Sequence, residues 1–219
     1  MKKFICALAM GFVFTLTSFA QITTASSFFK SISDYYATLQ DYECMADIKI
    51  NKNEMRGKVS FMRPEMMRID FIQPANQCVC FDGSRLVIYL PGQSAILEQN
   101  ITPSSAKIAA SPGLSLLRRY YTVAYESGQA AVPLDEYSDE KVVNLVLYRR
   151  SSNEAFRVIK LSINPTTKLI RRVVATTPRG DVYTFNFTDY KLNTKMSEQR
   201  FVYDPPSSAN NYSNFLLSE

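Results

Sequence analysis

The chain contains no histidine, and this absence excludes several classes of catalytic and metal site. Without histidine it has no Ser–His or Cys–His nucleophile and no imidazole ligand for a metal. Its seven glycines form no phosphate-binding run. Ser–Lys or two-carboxylate chemistry stays open, but the acidic pairs Asp135-Glu136 and Asp139-Glu140 lie beside proline and serine, which favours a solvated turn. We therefore predict a protein that is not an enzyme and uses neither a cofactor nor a metal.

Cysteine is also scarce, since the chain has four. Three of them, Cys44, Cys78 and Cys80, lie beyond residue 20. On a strand, Cys78 and Cys80 would point to the same face about 7 Å apart, which is poor geometry for a disulfide. We predict that all three are small buried apolar residues. A bridge from Cys44 to Cys78 or Cys80 is the alternative.

A long apolar run occupies the start of the chain, over residues 4–19, behind Lys2 and Lys3. It ends in Ser18-Phe19-Ala20, which fits a small-x-small cleavage site. We expect residues 1–20 to be a signal peptide that is cleaved on export across the inner membrane, which leaves 199 residues. That length suits one domain. The net charge falls from +5 to +3 on cleavage and does not indicate nucleic-acid binding.

The spacing between successive apolar residues, or hydrophobic period, changes several times along the rest of the chain. A period near 3.6 predicts a helix from Ser26 or Ser27 to about Leu39 and a second helical segment over 104–120. Elsewhere the period is two, and turn signals such as Asp82-Gly83 separate the apolar runs. The predicted strands are 41–50, 54–63, 66–73, 77–82, 85–90, 94–99, 121–126, 142–149, 156–163, 168–176, 181–190 and 199–203.

An antiparallel sheet of ten or more strands curls as its twist accumulates. Its concave side would be apolar, and the two helical segments would cover that side. The predicted fold class is therefore mainly β with helices (α+β), a curled antiparallel sheet that forms an incomplete barrel under a helical lid. We assign residues 21–206 to this single domain and 207–219 to a loose tail. Five methionines between residues 45 and 67 suit a cavity for apolar ligands of varied shape.

Arg63 lies on the apolar side of its own strand. Gly57, Val59 and Phe61 alternate with polar residues, and the same alternation places Arg63 on their face, just before Pro64. A guanidinium stays charged, so it needs carbonyls, a carboxylate or water at the rim of whatever that face lines. The alternative is an arginine at a strand end whose stem covers apolar surface while its head group reaches solvent.

The order of motifs around Arg63 is similar to that of one family. They are Gly57, Val59, Phe61, Arg63-Pro64, Arg68-Ile69-Asp70-Phe71, Gln73-Pro74, Asp82-Gly83 and Leu86-Val87-Ile88-Tyr89. This stretch resembles the periplasmic lipoprotein carrier family, LolA, whose pattern is G-x-(apolar)-x-(apolar)-x-R-P, an aromatic-rich strand, a proline and D-G. Fainter similarity extends over most of the chain, as far as Phe201–Pro206.

The resemblance implies an incomplete antiparallel barrel closed by helices and a function in lipoprotein transport. Such a protein is a monomeric periplasmic carrier with no nucleic-acid partner. It receives acylated lipoproteins from an inner-membrane ABC-type lipoprotein-releasing complex and delivers them to an outer-membrane acceptor, where one exists. The family's arginine bonds the lid and keeps the cavity shut. By resemblance this is the role of Arg63, with carbonyls near Ser111 to Leu114 as its partners.

Acyl chains would contact the apolar face of the sheet and its cover. The predicted ligand-binding residues are Tyr42, Phe61, Arg63, Met67, Ile69, Phe71, Val79, Phe81, Leu114 and Leu117. The family often has an aromatic residue at the position of Met67 and tryptophan at that of Ile69, whereas this chain has no tryptophan. The shape of the cavity and the preferred cargo therefore stay open.

Other functions are compatible with the same pattern. A related lipid-binding half-barrel would act as an envelope-stress sensor, or as a carrier of lipids other than lipoproteins. An outer-membrane acceptor would carry a lipid-modified cysteine as the first residue of its mature chain. The mature chain predicted here does not begin with cysteine. A small outer-membrane barrel is a further hypothesis, but Arg56, Lys58, Lys160 and Arg172 occupy positions that would face lipid.

Overall fold

The computed structural model describes residues 23–101 and 113–215. In that part of the chain two helices and thirteen strands follow one another, and short 3-10 helices lie at Pro91–Gln93 and Glu198–Phe201. The bounds are α1 Ala25–Thr38, β1 Asp41–Ile50, β2 Asn53–Met62, β3 Met66–Gln73, β4 Cys78–Phe81, β5 Arg85–Leu90, β6 Ala95–Asn100, α2 Gly113–Tyr120, β7 Tyr121–Tyr125, β8 Val132–Pro133, β9 Lys141–Arg149, β10 Val158–Ile163, β11 Ile170–Thr176, β12 Val182–Leu192 and β13 Asn210–Ser213.

The strands form one curled sheet that does not close. Its order is β13-β6-β5-β4-β3-β2-β1-β12-β11-β10-β9-β7, with β8 beside β9. The long pair β1–β12 joins the two halves of the sheet. Register shifts interrupt the pairing in β1, β2 and β10, and such bulges bend strands and increase their twist. The predicted fold class, an incomplete barrel of antiparallel strands with a helical cover, is confirmed.

Helix α1 covers one face of the sheet, which we call the inner face. Phe29 and Ile32 are completely buried and pack against Leu145 and Leu161 of β9 and β10. Burying side chains of this size contributes roughly 1.5–3 kcal/mol each, which fixes the helix on this half of the sheet. The helix begins earlier than predicted, because the N-cap is Thr24 and not Ser26 or Ser27.

The opposite, outer face carries charged residues and the segment that follows β12. Arg68 and Arg200 both bond the carboxylate of Asp70. Phe201 from the second 3-10 helix is buried against the cysteines of β4. The alternation predicted for β2 is confirmed, since its polar residues face this side and Lys58 pairs with Glu43 at 2.7 Å.

Two predictions near the C-terminal end are wrong. The strand predicted over 199–203 is the 3-10 helix Glu198–Phe201, whose apolar residue packs on the outer face. The segment predicted as a loose tail contains β13, which adds to β6 as the one parallel pairing among the described strands. The polar side chains of β13 are exposed, so no hydrophobic pattern marked it. Free backbone groups at the edge of β6 bind it instead.

Candidate functional site

A cavity of about 360 Å³ lies between the inner face of the sheet and the helices. Two other concavities have similar volumes of about 350 and 380 Å³, but lysine, arginine and glutamate side chains contribute to their walls. The first cavity is therefore distinguished by its chemistry and not by its size. Its walls are Tyr36, Tyr42, Cys44, Val59, Phe61, Arg63, Pro64, Leu114, Ile170, Val173, Phe187 and Tyr190.

Strand alternation places the first half of this wall. Tyr42 and Cys44 of β1 lie directly opposite Phe61 and Val59 of β2, so all four side chains project from one face. The rings of Tyr42 and Phe61 stack with their centroids 5.1 Å apart. The other half comes from β12, which pairs directly with β1, and from β11, which is the next strand of the sheet.

Arg63 closes one end of the cavity by binding the end of α1. Its Nε donates to the carbonyl of Leu39 at 2.7 Å, and Nη2 donates to the carbonyls of Tyr36 at 3.2 Å and Ala37 at 2.5 Å. Apart from the Leu39 N–H, which donates to Tyr36, no further helical turn follows to bond these carbonyls, and the negative end of the helix dipole favours a cation there. The in-facing charge predicted from the sequence is thus satisfied by backbone carbonyls.

Within the described residues, the partners of Arg63 belong to the end of α1 and not to the predicted segment. The prediction named carbonyls near Ser111 to Leu114, of which Ser111 and Pro112 lie outside the described residues. The hydrogen bonds that the guanidinium makes within the described chain all go to the last turn of α1 and the residue after it. Leu114 of α2 lines the same cavity. The helix that this arginine holds is therefore α1.

Three tyrosines make up the polar part of the wall. The Tyr190 hydroxyl donates to the carbonyl of Ile170 at 2.8 Å, and the Tyr36 hydroxyl accepts from the Ile170 N–H at 3.0 Å. The ring of Tyr42 meets that of Tyr36 edge-on, with centroids 6.1 Å apart. Burial raises the pKa of each of these phenols above its ordinary value, so all three stay protonated at neutral pH.

The predicted ligand-binding residues divide into two groups. Four of them line the cavity, namely Tyr42, Phe61, Arg63 and Leu114. The other six lie elsewhere on or beside the inner face, and they are Met67, Ile69, Phe71, Val79, Phe81 and Leu117. Their contact with a ligand stays a prediction.

The six residues outside the cavity wall occupy three places. Ile69, Phe71 and Val79 belong to an apolar cluster on β1 to β4 and β12 that also contains cavity-wall residues such as Cys44 and Val59. Leu117 packs against the cluster beneath α1. Met67 is 37% exposed and lies opposite Phe81 across the β3–β4 pair. The apolar face thus extends beyond the cavity toward the edge of the sheet.

Sequence reasoning missed eight residues of the wall. Cys44 and Val59 have the same parity as Tyr42 and Phe61, so the alternation signal for them was present. Tyr36 belongs to the apolar stripe of the predicted helix. The others lie more than 100 residues away along the chain or beside Arg63, and no local pattern places them at this cavity; they are Pro64, Ile170, Val173, Phe187 and Tyr190.

The three cysteines of the described chain are free and buried, as predicted. Burial raises the pKa of the Cys44 thiol to about 12 and that of Cys78 to about 12, and it also raises that of Cys80. Because the thiolate is the reactive form, we expect alkylation by iodoacetamide at pH 8 to be about 1,000-fold slower at Cys44 and Cys78 than in the unfolded chain, and slower at Cys80 as well. Mass spectrometry of native and denatured samples measures this. Rapid native labelling at any of the three would contradict the burial described here.

One member of each acidic pair singled out in the sequence is ion-paired. Asp135 bonds Arg172 at 2.8 Å, and Glu140 bonds Arg171 at 2.8 Å, which is the behaviour of a surface loop held to β11. Among residues 23–101 and 113–215, no three acidic, cysteine or histidine side chains come together to hold a metal ion. Neither helix in those ranges combines the length and hydropathy needed to cross a bilayer.

The sequence of the chain is similar to one protein family. The sequence model described as "Outer membrane lipoprotein carrier protein LolA" matches residues 47–204, which is more than half of the 219 residues. The match begins at the last four residues of β1 and includes the cavity residues of β2, β11 and β12 and the segment on the outer face. No curated protein shows significant similarity to the chain.

Solved structures with the same fold have very different sequences. An uncharacterized conserved protein from Thermus thermophilus is 14% identical with a TM-score of 0.56, over 84% of this chain and 98% of that one. The Mycobacterium tuberculosis lipoprotein LppX is 8% identical with a TM-score of 0.52, over 79% and 97%. A chain of the Pseudomonas aeruginosa MucA/MucB complex is 15% identical with a TM-score of 0.51, over 85% and 62%. The chain therefore spans less than two thirds of that last protein.

Proposed function

Because the chain belongs to the LolA family of outer membrane lipoprotein carrier proteins, we propose that it binds the acyl chains of lipoproteins in the cavity under α1. In this role it is a monomeric periplasmic carrier without enzymatic activity. It takes lipoproteins from an inner-membrane ABC-type complex to an outer-membrane acceptor. The observation that carries the proposal is the apolar cavity of about 360 Å³ whose helical cover is held by one arginine.

Binding requires the cover to move. The cavity lies at the lower end of the range for ligand pockets, about 300–1,000 Å³, so several acyl chains need additional space. Displacing the end of α1 breaks the hydrogen bonds of Arg63 and opens the inner face toward the cluster around Ile69 and Val79. The six predicted residues outside the cavity wall would then contact the longer parts of the chains.

The energetics of acyl burial determine how cargo leaves. Each buried CH₂ group contributes about 0.8 kcal/mol, so ten such groups contribute about 8 kcal/mol. Cargo bound this tightly leaves slowly into water. Release therefore requires an apolar acceptor that competes for the same chains, and no catalytic step is needed. In the empty protein, Arg63 keeps α1 over the apolar face, which prevents a large exposed patch.

Filling the cavity is expected to weaken acyl binding. Val173 lines the cavity, and a Val173→Phe substitution would place a ring in the space that the ligand needs. We expect about tenfold weaker binding of a fluorescent acyl probe, since overpacking of this kind costs roughly 1–3 kcal/mol. Titration of the purified protein with the probe measures the change.

The neighbouring residue provides a matched control. Val174 lies on the same strand but faces the outer side, opposite Thr184 and Lys160. The Val174→Phe variant should bind the probe as wild type does. Equal affinity of wild type and Val173→Phe, with both proteins folded by circular dichroism, would contradict acyl binding in this cavity.

The nature of the cargo is tested by recovering the protein from the periplasmic fraction. We expect acylated polypeptides to co-purify with wild type and with Val174→Phe, and to be depleted in Val173→Phe, as measured by mass spectrometry. Lipid recovered without polypeptide would instead indicate a carrier of other lipids. Recovery of neither, from a protein that is present in the fraction, would contradict a carrier function.

A further inference from the structure

The three phenols of the cavity wall are not equivalent. The Tyr190 hydroxyl donates to the Ile170 carbonyl. The Tyr36 hydroxyl accepts from the Ile170 N–H and lies 3.5 Å from the Tyr190 oxygen, to which it can donate. The hydroxyl of Tyr42 makes no hydrogen bond with any residue in the described part of the chain, although its ring has three aromatic neighbours. It is therefore the one cavity phenol in the described structure whose donor is uncommitted.

The Tyr42 oxygen is accessible. In the described part of the chain, the side-chain polar atoms that are both fully buried and without a hydrogen-bond partner are Glu65 Oε2 and Asn144 Oδ1. The Tyr42 hydroxyl also lacks a partner, but it is not one of these fully buried atoms. Since Tyr42 lines the cavity, a ligand there can reach its hydroxyl. An acyl chain that fills the cavity would exclude water from this hydroxyl, and an acceptor on the ligand would compensate for the lost hydration.

We propose that the Tyr42 hydroxyl donates a hydrogen bond to the carbonyl that links an acyl chain to its carrier group, so that the cavity prefers acyl esters over plain hydrocarbon chains. This inference rests on the proposed function and adds a polar recognition element to it. Each acyl chain has one carbonyl, at the end nearest the head group. One uncommitted phenol donor in the cavity wall matches that arrangement.

The chemistry of the other polar groups supports a neutral carbonyl as the acceptor. In the closed form, Nε and Nη2 of Arg63 donate to the carbonyls at the end of α1, so these two nitrogens are committed to the helix and not to a ligand. A thiol such as Cys44 is a weak donor. Because burial raises the pKa of Tyr42, the phenol keeps its proton and acts as a donor at neutral pH. A neutral donor of this kind suits an ester or amide oxygen.

Two probes of equal length separate the contribution of the carbonyl from that of the chain. They are a fatty-acid methyl ester and the corresponding alkyl methyl ether, each competing with a fluorescent acyl probe. Wild type should bind the ester about threefold to tenfold more tightly than the ether, which is the range of one neutral hydrogen bond. The Tyr42→Phe variant should bind both equally and keep the wild-type affinity for the ether. Tyr148→Phe, an exposed tyrosine of β9, is the control and should retain the preference.

A spectroscopic measurement reports the bond directly. With a ¹³C-labelled ester carbonyl, infrared difference spectra should show a lower carbonyl stretching frequency in wild type than in Tyr42→Phe. If wild type and Tyr42→Phe bind the ester equally well and give the same frequency, the inference is wrong while acyl binding stands. If neither probe binds wild type, the proposed function itself fails.

Discussion

Replacing Arg63 with leucine is expected to release the end of α1 and to favour the open form by about 100-fold. The guanidinium donates to three carbonyls of residues 36, 37 and 39, and leucine has no donor to replace it. Hydrogen bonds from charged groups contribute roughly 1.5–3 kcal/mol each when buried, and we take about 3 kcal/mol in total because Arg63 is partly solvated.

The release of the helix is measured by amide hydrogen exchange and by the loading and transfer of acyl probes. Amide hydrogen exchange in the last two turns of α1 should accelerate by the same factor, whereas exchange in β9 and β10 should not change. Acyl probes should load more readily and transfer more slowly to an apolar acceptor, because the variant no longer gains the closed-state bonds when cargo leaves. Loading, transfer and exchange equal to wild type would show that Arg63 does not hold the cover.

The control for this variant is Arg56→Leu on the same strand. Arg56 faces the outer side and forms an exposed ion pair with Asp47 at 3.4 Å. Exposed pairs of this kind contribute little, about 0–1 kcal/mol. Loss of one positive charge from this part of the sheet is thus matched between the two variants, and only the contact with α1 differs.

The largest loss of stability is expected for Asp41→Asn. Asp41 is 3% exposed, and its carboxylate accepts from the backbone N–H of Thr194 at 2.7 Å, of Lys195 at 3.0 Å and of Met196 at 3.4 Å. It also accepts from the Thr194 hydroxyl at 2.8 Å. These bonds hold a turn in which Asn193 and Lys195 have positive φ values of 52° and 58°.

The amide of asparagine would place N–H groups against backbone N–H groups in this turn. We expect the free energy of unfolding to fall by about 3 kcal/mol, because buried donors lose their acceptor. For a chain of this size that lowers the melting temperature by about 6–12 °C, as measured by calorimetry. The control is Asp47→Asn, on the outer face of the same strand, which should melt within about 2 °C of wild type.

The contribution of Asp41 should also depend on pH. Burial alone would raise the pKa of this carboxyl, but its hydrogen bonds outweigh burial and lower it from the ordinary value of 3.8. The folded state therefore favours the charged form, and the stabilisation is complete above the unfolded pKa. It is lost as pH falls through the folded pKa. The difference between wild type and Asp41→Asn should be constant near neutral pH and shrink below about pH 4; a constant difference at all pH values would contradict this origin.

Much of the local structure was predictable because it depends on the spacing at which apolar and polar side chains alternate along the chain. The alternation in β1 and β2 placed Tyr42 and Phe61 on one face, and it also placed Arg63 on the apolar side. The helical stripe predicted α1 to within two residues at either end. These predictions succeed because each face of a strand or helix is buried or solvated as a unit.

Other parts were wrong or missing because their stability comes from backbone or distant contacts. The side chains of β13 are polar and exposed, and the strand forms only because β6 offers free hydrogen-bonding groups along its edge. The segment around Phe201 alternates like a strand but folds as a 3-10 helix on the outer face. In both cases the partner surface is built by residues about 100 or more positions away.

The amino-acid pattern alone was sufficient for the curled antiparallel sheet, the helical cover, the free buried cysteines and the resemblance to lipoprotein carriers. Tertiary structure alone decided that Arg63 binds the end of α1, that Val173, Phe187 and Tyr190 complete the cavity, and that Tyr42 is the phenol with a free donor. The physical reason is that alternation specifies which face a side chain occupies. The curvature and register of the whole sheet specify which other side chains it meets there.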